Sequence, residues 1–336
     1  NGPWRQKPQA YGAEEEDTVM GIKSTFQRRG YHSHGTTDRD TTRQDTTDRS
    51  NGYHAPPGEQ DPTDRSNGYH APSGEQAVPA PRPASDTGAM PARKVLITGG
   101  SSGIGAATAR AFAARGFGVA VAGRDIAALN RVAADTGAVT IPGDLREGGT
   151  AQRTVDAAAE LLDGLDVVLA NAGVGWAGPF ASMPHEDIDA LLDVNLRAAG
   201  HLARASLRYL RPGHGHLVFT GSIAGAVGVS GEAWYSATKA GLSTLADVLR
   251  SELKDDGIRV TLLVPGVVDT PYFERRNQPY LRHYPRKVSA ELVADLIVDA
   301  VEHGKEEITV PGWLTVPARL KMSFPGLYRL LESRFA

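Results

Sequence analysis

The chain has 336 residues and no cysteine. That absence excludes disulfides, thiolate catalysis and cysteine-based zinc sites. There is no run of 18 apolar residues, so no membrane-spanning helix is expected. The first residues lack the charged-then-apolar pattern of a secretory signal, which makes a cytoplasmic protein the default expectation. An excess of either charge is also missing. The net charge is −3: residues 1–89 hold 10 Lys+Arg and 13 Asp+Glu, and the remainder holds 26 of each. Neither part has the basic surplus of a nucleic-acid binder.

The sharpest absence is regional. Between Gly30 and Ala77 there is no Ile, Leu, Val, Met, Phe or Trp. Such a segment cannot bury enough apolar surface to offset the entropy of ordering it, so residues 1–89 are expected to form a disordered tail. Within it "TDRSNGYHAPPGEQ" (Thr47–Gln60) recurs as "TDRSNGYHAPSGEQ" (Thr63–Gln76) with one substitution. Two copies are too few to stack into a solenoid core. The duplication reads as a low-complexity linker. The alternatives are a metal or partner site on its Tyr-His units, or an interaction module carried by the tail. Met90 opens "PARKVLITGG", and a chain starting there is expected to keep its fold and activity.

From about Arg93 the chain is rich in Ala, Val, Leu and Gly. In "RKVLITGGSSGIGAATARAFAARG" a short apolar run (Val95–Ile97) precedes a glycine turn. An Ala-rich helical pattern follows from about Ile104 to Arg115 and stops at Gly116. Gly99, Gly103 and Gly105 lack side chains, so backbone N–H groups and the helix N-terminus can approach a pyrophosphate. Their spacing is G-x-x-x-G-x-G rather than G-x-G-x-x-G. The next strand, "FGVAVAGRD", ends at Gly123-Arg124. An acidic residue there would hold the ribose 2′-hydroxyl of NAD, whereas Arg124 can pair with a 2′-phosphate, which favours NADP over NAD. Asp125 leaves two options: it N-caps the following helix or swings back to the ribose.

Further strands are expected in "GAVTIPGDL", ending near Asp144-Leu145, in "DVVLANAG", ending at Asn171-Ala172-Gly173, and in "HLVFTGS", "IRVTLLVPG" and "EEITV". These are continuous apolar runs separated by helical stretches, the pattern of a parallel sheet covered on both faces. Chemistry then belongs at the carboxyl ends of the strands. Asp144, Asn171, Ser222 and Pro265-Gly266 all fall there.

In "EAWYSATKAGLSTLADVLRSEL", Tyr235 and Lys239 lie one helical turn apart on one face. A nearby ammonium stabilises phenolate and lowers a tyrosine's pKa, so Tyr235 can exchange a proton at neutral pH during hydride transfer. Ser222, at the preceding strand end, can hydrogen-bond a substrate carbonyl. Asn195, in "DVNL", sits mid-helix where its propensity is poor. It reads as the holder of a bent backbone or of a water leading to Lys239.

The joint pattern resembles the short-chain dehydrogenase/reductase family. The resemblance rests on "TGGSSGIG" (Thr98–Gly105), "NAG" (Asn171–Gly173), Asn195 in "DVNL", Ser222 in "TGS", "YSATK" (Tyr235–Lys239) and "PGVVDT" (Pro265–Thr270). It implies an α/β fold: a single Rossmann-type, doubly wound parallel sheet of about seven strands with helices on both faces. It implies Tyr235 as general acid/base, Lys239 on the nicotinamide ribose, Ser222 orienting substrate and Asn195 supporting a proton relay. The cofactor contacts it implies are Thr98, Gly99, Ser101, Ser102, Gly103, Ile104 and Gly105, then Arg124, Asp144 and Leu145. Asn171, Ala172 and Gly173 follow in the cleft, with Tyr235, Lys239, Pro265, Gly266, Val268 and Thr270 near the nicotinamide. No metal is implied. A homodimer or homotetramer built through the helices around Asn195 and Tyr235 is.

The family's variable substrate lid corresponds to Pro271–Lys287, "PYFERRNQPYLRHYPRK". It is aromatic (Tyr272, Phe273, Tyr280, Tyr284) and basic (Arg275, Arg276, Arg282, Arg286, Lys287). Trp176 and Phe180 are expected to line an apolar pocket or to pack in the core. The C-terminal stretch from about Gly312 is apolar and basic, from Trp313 to Phe335. It is expected to pack over the cleft or against a partner subunit, with peripheral membrane contact as the alternative. The whole pattern is expected to be an NAD(P)-dependent oxidoreductase of secondary alcohols and ketones, acting on an apolar lipid, steroid or ketoacyl compound. The competing class is a catalytically silent NADP(H)-binding sensor or scaffold.

Overall fold

The structure, a computed structural model, describes residues 92–210, 212–276, 278–280 and 285–335. The tail, its duplication, the Met90 start, Arg282, Tyr284 and the Phe335 side chain lie outside the described residues.

The first half of the fold runs β1 (Lys94–Thr98), α1 (Gly103–Ala114), β2 (Gly118–Gly123), α2 (Ile126–Thr136), β3 (Val139–Pro142) and α3 (Thr150–Leu162). It continues through β4 (Val167–Ala170), α4 (His185–Leu192), α5 (Ala198–Ser206), β5 (His216–Thr220), α6 (Ile223–Val227) and α7 (Ala233–Glu252). Next come β6 (Arg259–Pro265), β7 (Val268–Asp269), α8 (Tyr272–Arg275), β8 (Val288–Ser289) and α9 (Ala290–His303). The chain closes with β9 (Glu307–Val310), α10 (Thr315–Ser323) and α11 (Pro325–Phe335). The main sheet has seven parallel strands in the order β3-β2-β1-β4-β5-β6-β9.

The missing polar alternation in the strands has a direct cause. Val95 and Ile97 of β1 face a core made with α1, α2 and α9, while Leu96 faces a second core made with α3, α5 and α7. All three residues are fully buried. Phe112 and Leu129 fill the first core, Leu202 and Phe219 the second. Each such side chain contributes about 1.5–3 kcal/mol by leaving water.

After α3 the chain crosses from the β1-β2-β3 side to β4. The strand order therefore reverses between β1 and β4, and a crevice opens at their carboxyl ends. Asn171 follows β4 directly, Ser222 lies two residues past β5, and Pro265 closes β6. The expected end of β3 is corrected: the strand stops at Pro142, two residues short of Asp144. Pro142 has no N–H to donate, β2 itself ends at Gly123, and the last bond between the two strands runs from the Gly143 N–H to the Gly123 carbonyl at 3.0 Å.

Asp125 resolves its two options locally. Its side chain accepts a hydrogen bond from the Ala128 N–H at 2.9 Å and caps α2. The short β7 and β8 pair in parallel, joined further by Lys287 to Asp269 at 3.0 Å.

Candidate active site

The turn after β1 is nearly bare backbone. Gly99 and Gly103 adopt φ of +66° and +54°, a left-handed region that favours glycine. A Cβ on Gly105 would overlap the Gly99 carbonyl oxygen. The first turn of α1 carries no acidic side chain. Small residues, free backbone N–H groups and an unopposed helix N-terminus fit a diphosphate group.

Thr98 plays a different part from its neighbours. It is fully buried. Its hydroxyl donates to the Leu169 carbonyl at 3.3 Å and accepts from the N–H groups of Asn171 and Ala172 at 3.1 and 3.2 Å. Asn171 returns the tie by donating from Nδ2 to the Thr98 carbonyl at 3.0 Å, and accepts from the Thr220 hydroxyl at 3.2 Å. Thr98, Asn171 and Thr220 thus bolt the ends of β1, β4 and β5 together. Their side chains are occupied inside the protein, so the expected cofactor contact at Thr98 and Asn171 is confined to backbone and shape. Gly266 is similar: its N–H goes to the Val310 carbonyl at 2.8 Å, and a Cβ there would meet Leu314 at 2.6 Å.

On the β2–β3 side, Asp144 is held by Arg146 at 2.6 Å and faces Arg124 at 3.9 Å. The hydrogen bond from Arg146 is the main reason its carboxyl sits below the usual range. Leu145 packs at the edge of the second core.

The four candidate catalytic residues come from three elements. Asn195 lies in a π-turn, Asp193–Arg197, between α4 and α5. Such a turn is a common distortion at functional sites. The Asn195 Oδ1 accepts from the Val174 N–H at 2.8 Å, and its Nδ2 donates to the Val174 carbonyl at 3.0 Å and to the Thr238 hydroxyl at 3.3 Å. Both ends of one amide therefore clamp the loop after β4. Asn195 itself lies in the distorted stretch of helix, and the backbone its side chain holds is that of Val174.

Lys239 is 4% exposed and donates to the Thr220 carbonyl at 2.7 Å. Burial holds its ammonium down to about 8. A Cβ on Gly173 would lie 3.3 Å from the Asn195 Oδ1 and 3.7 Å from the Lys239 Nζ, so the two side chains converge on that glycine. Ser222 caps α6, accepting from the Ala224 N–H at 3.1 Å.

The expected depression of Tyr235 by Lys239 is not found. Burial pushes the Tyr235 phenol up, and the nearby hydroxyls of Tyr272 and Ser222 pull it back only in part. The Lys239 ammonium lies 5.8 Å from the Tyr235 ring centroid, engaged with a backbone carbonyl instead.

A family model described as short chain dehydrogenase matches residues 93–281. A 1-deoxy-11-beta-hydroxypentalenate dehydrogenase of Streptomyces exfoliatus is 37% identical over 246 residues, 70% of this chain and 89% of that protein. The ketoacyl reductase HetN of Nostoc sp. (strain PCC 7120) is 33% identical over 227 residues, 65% of this chain and 78% of that protein. Among solved structures, a short chain dehydrogenase from Burkholderia cenocepacia J2315 in complex with NADP has 32% identity and a TM-score of 0.60, covering 66% of this chain and 98% of that one. The chain belongs to the short-chain dehydrogenase family. It is an oxidoreductase with that family's NAD(P)-binding Rossmann fold.

In this short-chain dehydrogenase an aromatic cluster from α8 and the residues after it packs on the candidate tyrosine. Tyr272 packs against Tyr235 with ring centroids 5.8 Å apart, Phe273 meets Tyr272 edge-on at 5.3 Å, and Tyr280 packs on Phe273 at 5.4 Å. The Tyr272 hydroxyl is buried without a well-formed hydrogen bond. Arg276 lies over the Phe273 ring at 4.7 Å and pairs with Glu232 at 2.5 Å, with side chains 8% and 14% exposed. Glu232 precedes α7 and stands three residues before Tyr235.

Beside this cluster is a cleft of about 520 Å³, lined by Trp176, Phe180, Met183, Ser230, Ala233 and Gln278 among others. Trp176 and Phe180 are therefore lining residues, not core. α10 packs on α6, and Lys321 donates to the Val227 carbonyl at 2.7 Å. Trp313, Val316, Met322 and Phe324 remain more than half exposed. No helix among the described residues is long and apolar enough to cross a membrane.

Residue-by-residue reading of the sequence missed Thr220, Glu232 and Arg146. Thr220 carries a signal, since "TG" closes β1 and β5 alike. Glu232 and Arg146 carry none that local pattern can show.

Proposed function

We infer that this short-chain dehydrogenase interconverts a secondary alcohol and a ketone, with NADP preferred over NAD, and that its substrate is apolar. Residues 90–336 form the enzyme, with residues 271–287 as its substrate lid. When bound, the nicotinamide supplies or accepts the hydride. Tyr235 exchanges the proton with the substrate oxygen, Ser222 holds that oxygen, and Lys239 and Asn195 order the pocket between them. The carrying observation is convergence: Ser222 lies in polar reach of the Tyr235 hydroxyl, and Lys239 and Asn195 meet at Gly173.

NADP preference is supported by Arg124 at the end of β2 and by Asp125, whose carboxylate is spent on capping α2. The apolar substrate is supported by Trp176, Phe180 and Met183 in the adjoining cleft. The names of the two relatives, a dehydrogenase of a hydroxypentalenate and a ketoacyl reductase, support it too.

Tyr235→Phe tests the assignment on a carbonyl panel with NADPH and NADH. Turnover falls by about 10²–10⁴, while cofactor binding persists; unchanged turnover overturns it. The pH profile adds a sign. Burial raises Tyr235, so it is protonated at neutral pH and ready to donate to a carbonyl. Reduction is therefore supported at neutral pH, and alcohol oxidation, which needs the phenolate, climbs as pH rises.

A further inference from the structure

Arg275 and Arg276 are adjacent, yet they serve opposite sides of the cleft. Arg276 reaches Glu232 beside the catalytic helix and is fully partnered. Arg275 reaches the other way. Its Nη1 donates to the Ser102 hydroxyl at 2.9 Å, across 173 residues of sequence. Ser102 stands at the N-cap of α1 with extended backbone, but its hydroxyl makes no capping bond. The same lid base touches the glycine turn again: a Cβ on Gly103 would lie 3.0 Å from the Thr270 methyl. No carboxylate pairs with Arg275 among the described residues. The exposed Arg275 guanidinium thus meets a helix N-terminus whose own first turn carries no carboxylate, at a cleft that Asp269 and Glu291 also line. Two positive features held together in this way favour an anion between them.

We propose that Arg275 is a cofactor-binding residue whose guanidinium pairs with the diphosphate of the NAD(P) held on the glycine turn. This rests on the reading that the turn holds the dinucleotide. Serine and guanidinium supply two donors from opposite sides, one from the fold and one from the lid. The contact also couples the two halves of the cleft. α8 is four residues long, with Tyr272 on Tyr235 at its start and Arg275 at its end. A diphosphate that fixes Arg275 also fixes the residue that covers the candidate proton donor.

The diphosphate is common to NADPH and NADH, whereas the 2′-phosphate is not. That difference sets the test. The full chain and its Arg275→Gln variant are titrated with both reduced cofactors, read by nicotinamide fluorescence, with a thermal melt to confirm folding. Arg275→Gln weakens NADPH and NADH alike, on the order of tenfold, and Arg275→Lys recovers part of the loss. If Arg275→Gln binds both cofactors as the parent does, the proposal is overturned while the cofactor reading stands. A loss confined to NADPH also overturns it, because the contact then lies at the 2′-phosphate. If the parent chain binds neither cofactor, the underlying reading fails and the proposal falls with it.

Discussion

The cofactor half of the cleft and the proposed substrate half are built from different material. The glycine turn and the ends of β1, β4 and β5 are backbone bolted by two buried threonines and the half-buried Asn171. The substrate half is a stack of large side chains, Tyr272, Phe273 and Tyr280, pinned by one ion pair beside a cleft lined by Trp176 and Phe180. A surface made of backbone tolerates no added atom. One made of side chains can be recut without disturbing the sheet beneath it. The first therefore serves a ligand of fixed shape, and the second is free to define the substrate.

Gly105→Ala tests the first half of that contrast and has the largest expected effect on cofactor binding. The new Cβ meets a backbone oxygen, which has no flexible end to move away. Overpacking of this kind costs about 1–3 kcal/mol, and all of it falls on the cradle. NADPH affinity drops by roughly a hundredfold, measured by fluorescence titration. Trp176→Ala is the counterpart in the substrate half and leaves that affinity unchanged while altering KM. Equal loss of cofactor affinity from both variants would break the comparison.

The ion pair at the lid gives the next effect. Arg276→Met leaves Glu232 nearly buried and without its partner, which costs about 3 kcal/mol. Chemical denaturation reads this directly. Adding Glu232→Gln removes the stranded charge and restores most of the loss. If the single variant is as stable as the parent, the pair is not a fixed point of the substrate half.

These two halves also differ in how much of them the sequence discloses. The sheet was legible because its strands are buried on both faces, so each reads as an unbroken apolar run such as Val95–Ile97. The glycine turn was legible because shape excludes other residues at Gly105. Asn195 stood out as a polar residue in a helix, and the structure resolves it as a π-turn clamp on Val174. The Tyr235–Lys239 spacing was legible, but its electrostatics were not. Nothing local reveals that Lys239 spends a hydrogen bond on the Thr220 carbonyl, 19 residues away, or that burial outweighs it at Tyr235. The lid was the least readable part. Its pairs join Arg276 to Glu232 and Arg275 to Ser102, across 44 and 173 residues, and such contacts leave no periodic trace. The end of β3 slipped because a proline and the end of its partner strand stop the ladder at Pro142.

Arg124 is where the cofactor half departs from its own rule. It acts through a long side chain that is 57% exposed, and it lies 3.9 Å from an Asp144 already held by Arg146. Exposure weakens any charge pair it makes. The expected effect is thus the smallest of the series and the most selective. Arg124→Ala raises the Kd for NADPH by up to about tenfold and leaves NADH unchanged. The gap narrows as salt rises, because the lost contact is a screened one. Paired titrations at low and high ionic strength provide the check. If NADH weakens equally, Arg124 supports the end of β2 rather than reading a 2′-phosphate. The proposed preference for NADP would then lose its main support, leaving Arg146, the other guanidinium on Asp144, as the next residue to test.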